Sequence, residues 1–333
     1  MASPQVSIII VAHNSQSVLM GCLRSIRRIL DRSECEVIIV DNASTDDTIR
    51  LVTEQFPQFK LVRSSRNLGF AGGLNLGFKE AAGKYYLVLN PDTIITPSAI
   101  PTLLTFLEKN PKAGVAGATL TYPNGSAQDS TFDFPSLPRE LLNYLPELKT
   151  LLRPRQMAAA IHRIMGIFGN KGDNKVPYRV ECVSGAALLV RSDIVKQLDG
   201  FDEGFFLYHE ERDFCHRVWN EGREVWTVPQ AQVIHLDAHG TGYRRNRLPS
   251  MPVLGWRVAG MDRLWWKHRG RGMHRLWRMQ TRCLLRLRII AILLSLPFRG
   301  ERKSAALSRI QELKRCTEML CVTPVSECER PER

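Results

Sequence analysis

Closely spaced cysteine pairs are absent from this 333-residue sequence. Its eight cysteines are scattered, without a C-x-x-C pair or a zinc-binding spacing, which argues against a zinc module and against a disulfide framework. We therefore expect reduced thiols in a cytoplasmic compartment. The N-terminal stretch MASPQVSIIIVAHNS has neither the basic start nor the long apolar core of a secretory signal peptide, so we do not expect one.

Two common phosphate-binding motifs are also missing. The sequence has no G-x-x-x-x-G-K-[ST] loop, and no G-x-G-x-x-G follows its first apolar run. The absence of both motifs argues against a P-loop ATPase and against a nicotinamide-dependent enzyme. The apolar run over residues 289–296, which contains Ser295 and is stopped by Pro297, is far shorter than the ~20 residues that span a bilayer.

What the sequence does contain is a regular alternation of apolar runs and helical patterns over its first 120 residues. The apolar fraction of 44% is that of a globular protein. Strands that are connected through helices form parallel βαβ units, so we predict an α/β fold with a doubly wound, mostly parallel sheet. The first four predicted strands are residues 6–11, 37–40, 60–62 and 85–89, and a later one is 180–190.

Two aspartates, Asp41 and Asp92, directly follow predicted strands. The carboxyl ends of parallel strands meet at one rim, where ligands bind in such sheets. A carboxylate at the end of a buried strand costs several kcal/mol unless something pairs with it. We therefore predict that both carboxylates lie at a ligand-binding rim. The alternative is that each one caps a local turn, because Asn, Pro and Asp favour turns.

A glycine-rich segment, RNLGFAGGLNLG, follows the third predicted strand. Its Arg66 is a candidate contact for a diphosphate, and glycines at positions 69, 72, 73 and 77 would let the backbone approach a ligand closely. Taken alone, such a cluster is as typical of turns and helix packing as it is of a ligand-binding loop.

Six motifs, taken in their order, resemble the inverting nucleotide-sugar glycosyltransferases of family 2, which have the GT-A fold. Within that family the sequence looks most like the rhamnosyltransferase branch. The motifs span about residues 5–242. They are VSIIIVAHNS, VIIVDNASTDDT, RNLGFAGGLNLG, LVLNPDT, VSGAALLVRSDIVKQLDGFDEGFFLYHEERDFCHRV and VPQAQVIHLDAHGTG.

The resemblance implies a donor site with a divalent cation. Asp92 stands at the family's metal position, where Asn90-Pro91-Asp92 replaces the more general Asp-x-Asp, and would link Mg²⁺ or Mn²⁺ to the donor's diphosphate. His235 matches a position that can join the metal, although a lone His on an apolar strand is more often a core residue. The residues implied in nucleotide-sugar binding are His13, Asn14, Asp41 (to the nucleobase), Arg66, Asn67, Gly69, Gly72, Asn75 and Asn90.

The segment EERDFCHRVWN predicts a helix over residues 210–220. The family usually has Glu-Asp where this sequence has Glu210-Glu211, and the Asp acts as the general base toward the acceptor hydroxyl. Because Glu211 replaces that Asp, it is the first candidate for the base, and Glu210 is the second. The alternative is a solvated acidic helix start, which suits the helix dipole. We expect Asp213 to be structural, through an i,i+4 pair with Arg217.

Basic residues concentrate in one segment of the chain. The net charge is +13, and residues 244–303 contain sixteen Lys or Arg against two acids. Such a segment favours an anionic partner, either a membrane surface or nucleic acid. Because no nucleic-acid recognition motif is present, we expect no nucleic-acid partner.

Within this segment, residues 274–295 predict an amphipathic helix of the kind that lies on a membrane surface. The alternative is a solvated helix that packs on its own domain or on a second copy. The predicted apolar stripe is Leu276, Cys283, Leu287, Ile290 and Leu294; the basic stripe is Arg275, Arg278, Arg282 and Arg286; the neighbouring tryptophans are Trp256, Trp265, Trp266 and Trp277.

These observations predict a GT-A domain over residues 1–242 with an insertion or lid at 126–178, a basic helical region at 243–303 and a tail at 304–333. The expected activity is inverting, metal-dependent transfer of a sugar, with rhamnose suggested by the branch, to a lipid-linked or polysaccharide acceptor. The expected location is cytoplasmic, at the inner face of the membrane. The alternatives are a catalytically weak, nucleotide-sugar-binding membrane scaffold, which the Glu-Glu departure favours, and a nucleotidyltransferase, which the missing Gly-rich basic loop disfavours.

Overall fold

The structure is a computed structural model that describes residues 4–30, 35–144, 175–236, 251–295 and 303–321. The chain forms two compact units. The sheet unit comprises Met1–Phe134 and Phe168–Leu248, and the helical unit comprises Pro135–Ile167 and Pro249–Arg333.

The secondary structure alternates strands and helices through the sheet unit and is helical afterwards. In chain order the elements are β1 (Val6–Ala12), α1 (Gln16–Leu30), β2 (Cys35–Asn42), α2 (Thr48–Gln55), β3 (Lys60–Ser64), α3 (Gly69–Lys79), β4 (Tyr85–Leu89), β5 (Thr93–Ile95), α4 (Ala99–Lys109), β6 (Ala113–Thr121), β7 (Thr131–Phe132), α5 (Leu137–Tyr144), β8 (Tyr178–Arg179), β9 (Cys182–Val183), β10 (Ala187–Arg191), α6 (Ser192–Gln197), α7 (Glu210–Asn220), β11 (Glu224–His235), α8 (Met251–Ser295) and α9 (Lys303–Met319).

The main sheet has the strand order β3-β2-β1-β4-β10-β6-β11-β5, with β8 paired to β11. Strands β1 to β4 run parallel to one another, β11 runs parallel to β6, and β10 is antiparallel to both of its neighbours. The register pairs Ala12 with Asp41 and Ile10 with Leu89, so the carboxyl ends of β1, β2 and β4 meet at one rim. The predicted α/β fold with a doubly wound sheet is confirmed.

Both faces of the sheet are covered, which explains why β1 is apolar at nearly every position. Ile8 and Ile10 belong to the core formed with α1 and α4, whereas Ile9 and Val11 belong to the core formed with α3 and α7. A Cβ added at Gly77 would lie 2.5 Å from a methyl of Ile9, so helix α3 packs closer to β1 than any larger residue would allow. Packing therefore accounts for part of the glycine-rich segment.

The strand predicted over residues 180–190 is wrong as a single element. The chain turns at Ser184–Ala186, where the Ser184 N–H donates to the Ser130 carbonyl, and it forms β9 and β10 instead. β9 pairs with β7 in a separate small sheet, and β10 enters the main sheet. The break coincides with Ser184-Gly185, a dipeptide typical of turns that interrupts the apolar run between the two buried strands and that the single-strand prediction overlooked.

The helical unit is built around α8, whose backbone leaves the helical conformation at Gly270 (φ 73°, ψ 162°). Trp265 and Trp277 are 1% and 0% exposed, and their rings stack with centroids 6.0 Å apart. Beside them, His274 Nε2 lies 2.6 Å from Asp262 Oδ1. The interfacial role predicted for these two tryptophans is therefore wrong, because they form the core that joins the two parts of α8.

The apolar side chains in the second part of α8 lie in two kinds of surroundings. Leu284, Leu285 and Ile289 are buried, whereas the predicted apolar stripe faces solvent. Within the described residues, no helix is long and apolar enough to cross a membrane. The exposed large hydrophobic side chains of α8 are Met273, Leu276, Met279, Leu287, Ile290, Leu293 and Leu294, at 40–72% relative exposure.

The described residues of the predicted insertion at 126–178 fall in both units: residues 126–134 and 175–178 lie in the sheet unit, and α5 lies in the helical unit. Helices α8 and α9 pack on each other within the helical unit. The predicted boundary at 242/243 stays a prediction, because it lies outside the described residues. Residues 145–174, 237–250 and 322–333, which include much of the predicted lid and tail, lie outside the described residues.

Candidate functional site

The loop after β1 holds the loop after β2 in place. Asn14 has a left-handed backbone (φ 49°), and its side-chain Oδ1 accepts hydrogen bonds from the N–H groups of Thr45 (2.8 Å) and Asp46 (3.3 Å). His13 Nδ1 lies 2.9 Å from the Asn42 carbonyl. His13 and Asn14, both predicted to bind the donor, thus shape the rim themselves, and His13 remains exposed.

Asp41 lies buried at the end of β2, where its Oδ1 accepts a hydrogen bond from the Ser44 N–H at 3.2 Å. The turn-capping role considered for this residue is therefore present. The bond uses one oxygen of the carboxylate, so the nucleobase contact is compatible with it and stays a prediction.

Asn42, which the sequence reasoning missed, ties β2 to the glycine-rich loop. Its side-chain amide donates to Asn67 Oδ1 (3.0 Å) and to the Gly69 carbonyl (2.9 Å), and its Oδ1 accepts from the Leu68 N–H (2.8 Å). A buried polar residue at the end of an apolar strand was the available signal. Asn67 and Gly69 are thus held beside Asn42, at the end of β2.

Asn75 and Gly72, two other residues predicted to bind the nucleotide-sugar donor, lie beside the segment that leads to α7. Asn75 uses both ends of its amide on Phe201, accepting from its N–H and donating to its carbonyl, each at 2.8 Å. A Cβ at Gly72 would lie 3.6 Å from Glu203 Oε2. These contacts fasten the segment before α7 onto α3, while Arg66 is exposed at the rim. Donor binding by Gly72, Asn75 and Arg66 stays a prediction.

Asp92 and His235 come together from distant parts of the chain. Antiparallel pairing of β11 with β5 brings His235 opposite Thr93, and His235 Nε2 lies 3.2 Å from Asp92 Oδ1. The Asn90 side-chain nitrogen lies 3.5 Å from the same ring nitrogen. Both side chains are largely buried: 6% of the side-chain surface of Asp92 and 15% of that of His235 is exposed. The predicted pairing of these residues is therefore present.

This pair is a suitable part of a divalent-cation site. A carboxylate oxygen and an imidazole nitrogen are ligands that Mn²⁺ accepts, while Mg²⁺ prefers oxygen and bound water. Across the described ranges, no group of three or more His, Cys, Asp and Glu side chains could hold a metal. Two protein ligands leave positions for substrate oxygens, which is how catalytic divalent sites bind phosphates.

Helix α7 begins after two residues with left-handed backbones, Tyr208 (φ 75°) and His209 (φ 72°). Such conformations cost about 1–3 kcal/mol for residues other than glycine and cluster at functional sites. The helix is anchored by Arg217, which pairs with Asp213 at 2.8 Å and donates to the carbonyls of Leu198 and Gly200. The predicted i,i+4 pair is confirmed, and it fixes the direction of the first turn.

The two glutamates in the first turn of α7 differ in burial. Glu210 is 4% exposed, and its Oε2 has no hydrogen-bond partner in the part of the chain that the structure describes. Burial, and secondly the neighbouring Glu211 carboxylate, raise the pKa of Glu210 well above its usual range. Glu211 is only half-buried. Of the two candidates, Glu211 is the more exposed.

The turn between β9 and β10 lies next to both α7 and the loop that carries Asp92. Gly185 packs against Glu211, whose Cβ would lie 3.7 Å from a Cβ added to the glycine. The next carbonyl, that of Ala186, accepts a hydrogen bond from the Asn90 N–H at 3.0 Å. One short turn thus contacts both Glu211 and the loop that carries Asp92. The geometry suits a reaction between a substrate held at the rim and a group near α7.

Similar proteins were found by sequence and by structure. The family model for glycosyl transferase family 2 matches residues 7–198. The chain is 31% identical over 229 residues to the N-acetylglucosaminyl-diphospho-decaprenol L-rhamnosyltransferase of Mycobacterium tuberculosis, covering 62% of this chain and 68% of that protein. It is 23% identical over 242 residues to rhamnosyltransferase WbbL of Escherichia coli K12, covering 70% and 84%.

Solved structures with the same fold include the mannosyltransferase PcManGT from Pyrobaculum calidifontis in complex with GDP-Man and Mn²⁺. It aligns with a TM-score of 0.54 at 16% identity, over 96% of this chain and 85% of that one. GalNAc-T7 with UDP, GalNAc and Mn²⁺ aligns with a TM-score of 0.53 at 18% identity, over 80% and 49%. At these identities the likeness bears on the fold alone, and it agrees with the GT-A expectation. By its family match and its rhamnosyltransferase relative, this chain belongs to glycosyl transferase family 2 and is a glycosyltransferase.

Proposed function

We propose that this protein transfers rhamnose, with inversion, from a nucleoside-diphosphate donor to a lipid-linked glycan acceptor during cell-surface glycan synthesis. The sugar and the acceptor class are taken from the names of the relatives, an L-rhamnosyltransferase acting on N-acetylglucosaminyl-diphospho-decaprenol and rhamnosyltransferase WbbL. The observation that carries the proposal is the Asp92–His235 pair, linked through the Gly185–Ala186 turn to Glu211.

In the proposed site, Asp41, Arg66 and the loops after β1 and β3 bind the nucleotide, and Asp92 and His235 hold Mg²⁺ or Mn²⁺. The pair fits such an ion because an oxygen and a nitrogen ligand lie 3.2 Å apart. When bound, the cation neutralises charge on the departing nucleoside diphosphate. The neighbouring structures that contain Mn²⁺ with a nucleotide support the same cofactor class.

Glu211 is the proposed general base. It takes the proton of the acceptor hydroxyl as the hydroxyl oxygen bonds to the anomeric carbon, and the bond from that carbon to the diphosphate oxygen breaks on the opposite face. Attack opposite the leaving group inverts the anomeric centre. Glu211 is one methylene longer than the family's usual Asp, so the acceptor hydroxyl would lie correspondingly further from the backbone of α7.

The helical unit supports peripheral binding to the inner face of an anionic membrane. On α8 the exposed apolar side chains alternate with exposed Arg275 and Arg286, the combination that an interfacial helix presents. A second copy on the same face would bring these arginines together without acids to offset them, because Asp262 is the one acidic residue of α8. A lipid surface offers the opposite charge and an apolar layer.

The transferase site is tested with a panel of nucleoside-diphosphate sugars that includes rhamnose donors, with Mn²⁺ or with chelator, on wild type and Asp92→Asn. We expect calorimetry to detect metal-dependent binding of one donor, and we expect turnover to fall about 100- to 1,000-fold in Asp92→Asn. Donor binding without turnover in the wild type would support the scaffold alternative. Equal donor affinity with chelator, or in Asp92→Asn, would contradict the metal site.

A further inference from the structure

A residue outside all the motifs, Gln128, makes two hydrogen bonds to His235. The Gln128 side-chain nitrogen donates to the His235 carbonyl at 2.8 Å, and Gln128 Oε1 lies 2.9 Å from His235 Nδ1. From these contacts we infer that Gln128 is a positioning residue: it holds His235 as the Nδ1–H tautomer and turns the unprotonated Nε2 toward Asp92, ready for a cation. This inference rests on the proposed metal-dependent function.

The orientation of the Gln128 amide follows from the chemistry of its partners. A backbone carbonyl can only accept a hydrogen bond, so the amide atom 2.8 Å from the His235 carbonyl must be the NH₂ group. The other amide atom, which faces His235 Nδ1, is then the carbonyl oxygen and can only accept. His235 Nδ1 must therefore carry a proton, which it donates to Gln128 Oε1.

In the neutral ring, this assignment decides which nitrogen is free for a ligand. In a neutral imidazole one nitrogen carries the proton and the other carries the lone pair. With the proton on Nδ1, the lone pair is on Nε2, the atom that lies 3.2 Å from Asp92 Oδ1. Two acceptor atoms that face each other at this distance are stabilised by a cation bound between them. In metal sites, a ligating His almost always donates its other N–H to such a partner.

Gln128 is itself held by a tight turn after β6. Its N–H donates to the Leu120 carbonyl at 2.9 Å, and Ser130 Oγ donates to the Gln128 carbonyl at 3.1 Å. The turn contains Gly125, which has a left-handed backbone (φ 78°). The side chain thus starts from a fixed backbone and reaches a residue 107 positions away. Because its backbone is fixed in this way, Gln128 restricts the ring of His235, the last residue of β11.

The inference predicts separate effects on the tautomer and on metal affinity. The variants are Gln128→Leu, which removes both hydrogen bonds at similar volume, and Gln128→Glu, which keeps an acceptor for Nδ1–H. Gln55→Leu, at the exposed end of α2, is the matched control. Thermal unfolding of each variant establishes that it is folded, and if Gln128→Leu fails to fold, Gln128→Asn, which is too short to reach Nδ1, replaces it.

The first measurement is the tautomer of His235 in metal-free protein, from the ¹⁵N shifts of its ring nitrogens at a pH where the imidazole is neutral. Signals that disappear in His235→Gln identify the residue. We expect Nδ1–H in the wild type, in Gln55→Leu and in Gln128→Glu, and loss of that preference in Gln128→Leu. An Nε2–H tautomer in the wild type, or an unchanged tautomer in Gln128→Leu, would overturn the inference.

The second measurement is Mn²⁺ affinity by electron paramagnetic resonance, with the metal alone and without donor. Gln128→Leu should weaken binding on the order of 10- to 100-fold, the usual cost of removing the partner of a ligating His. Gln128→Glu should bind as tightly as the wild type or more tightly. If Gln128→Leu bound Mn²⁺ like the wild type, the positioning role would be wrong. If the wild type bound no Mn²⁺, the proposed metal site would fail, and the tautomer would then be judged from the ring shifts alone.

Discussion

The sheet unit and the helical unit place their polar and apolar side chains in opposite ways. At the rim of the sheet unit, polar groups are buried: Asp41, Asn42, Asp92 and Glu210 are each at most 4% exposed. On the helical unit, apolar groups are exposed, and among the described residues every exposed large hydrophobic side chain except Val176 lies on α8 or α9. Buried polar groups cost free energy unless they are used or satisfied, and exposed apolar patches mark interaction surfaces.

This difference indicates a division of labour along the chain. The charge follows the same division: residues 244–303 hold sixteen Lys or Arg against two acids, whereas the remainder has 30 basic and 31 acidic residues. A neutral sheet with a polar rim suits chemistry on a small charged donor. A basic, apolar helix surface suits an anionic lipid layer. Substitutions at the rim of the sheet unit should therefore affect sugar transfer and not membrane binding. Substitutions on the exposed face of α8 should affect membrane binding and not sugar transfer.

The largest effect should come from Glu211→Gln in the sheet unit. Removing a general base lowers turnover about 100- to 10,000-fold, while donor affinity should stay near that of the wild type because the amide keeps the volume of the carboxylate. Single-turnover kinetics and calorimetry with the donor chosen from the panel measure the two quantities. Glu221→Gln, the same change at the other end of α7, is the control. Full turnover in Glu211→Gln would remove Glu211 as the base.

A smaller effect is expected when the exposed stripe of α8 is made polar. Leu287→Gln together with Ile290→Gln should weaken binding to vesicles that contain anionic lipid by about tenfold or more, since each side chain contributes on the order of 1.5 kcal/mol when buried. Co-sedimentation measures the binding. Val176→Gln, an equally exposed site on the sheet unit, should leave it unchanged.

The same vesicles also test the charge component of this surface. Binding should weaken with salt, since each basic residue near an anionic surface contributes about 1 kcal/mol that is screened by ions. Turnover of a soluble donor should persist in the double variant. Equal vesicle binding by the wild type and the double variant would contradict the membrane role of the stripe.

The smallest effect concerns Glu210 and stability. Its pKa is raised in the folded protein by burial and by Glu211, so the folded state binds more protons than the unfolded state above the usual Glu range. The free energy of unfolding should therefore fall as the pH rises from about 4.3, by at most about 1.4 kcal/mol per pH unit for one proton. Glu210→Gln should remove that part of the slope. Chemical denaturation at several pH values measures it, and an unchanged slope would show that the carboxyl is not held neutral.

Much of the fold could be predicted because its signals are local. The apolar run that ends at Leu89 and the helix from Glu210 to Asn220 were predicted with the boundaries that the structure has. The predicted strands that end at Val11, Val40 and Val62 each extend one or two residues further. Burial on both faces makes these runs continuous, and an acidic first turn marks the helix. Where two buried strands followed each other, as in β9 and β10, the turn signal Ser184-Gly185 between them was overlooked.

The candidate site was predicted unevenly for the same reason. Asp92 and His235 were paired through a family resemblance, and the contact is present. Asn42 and Gln128 were missed, because a side-chain amide has no periodicity and its partners lie 25 and 107 positions away. Trp265 and Trp277 of α8 were misassigned because an aromatic beside an arginine has the same pattern in an interface and in a core.

By itself, the sequence determined the alternation of strands and helices, the rim at which Asp41 and Asp92 lie, and the separation of a neutral region from a basic one. These depend on the order and periodicity of residues close together in the chain. The tertiary structure alone decided that Glu210 is buried while Glu211 is only half-buried, and that Gln128 makes two hydrogen bonds to His235. It also decided that Leu287 and Ile290 face outward while Trp265 and Trp277 face inward. These depend on which distant segments pack together, because burial and hydrogen bonding are set by neighbours in space.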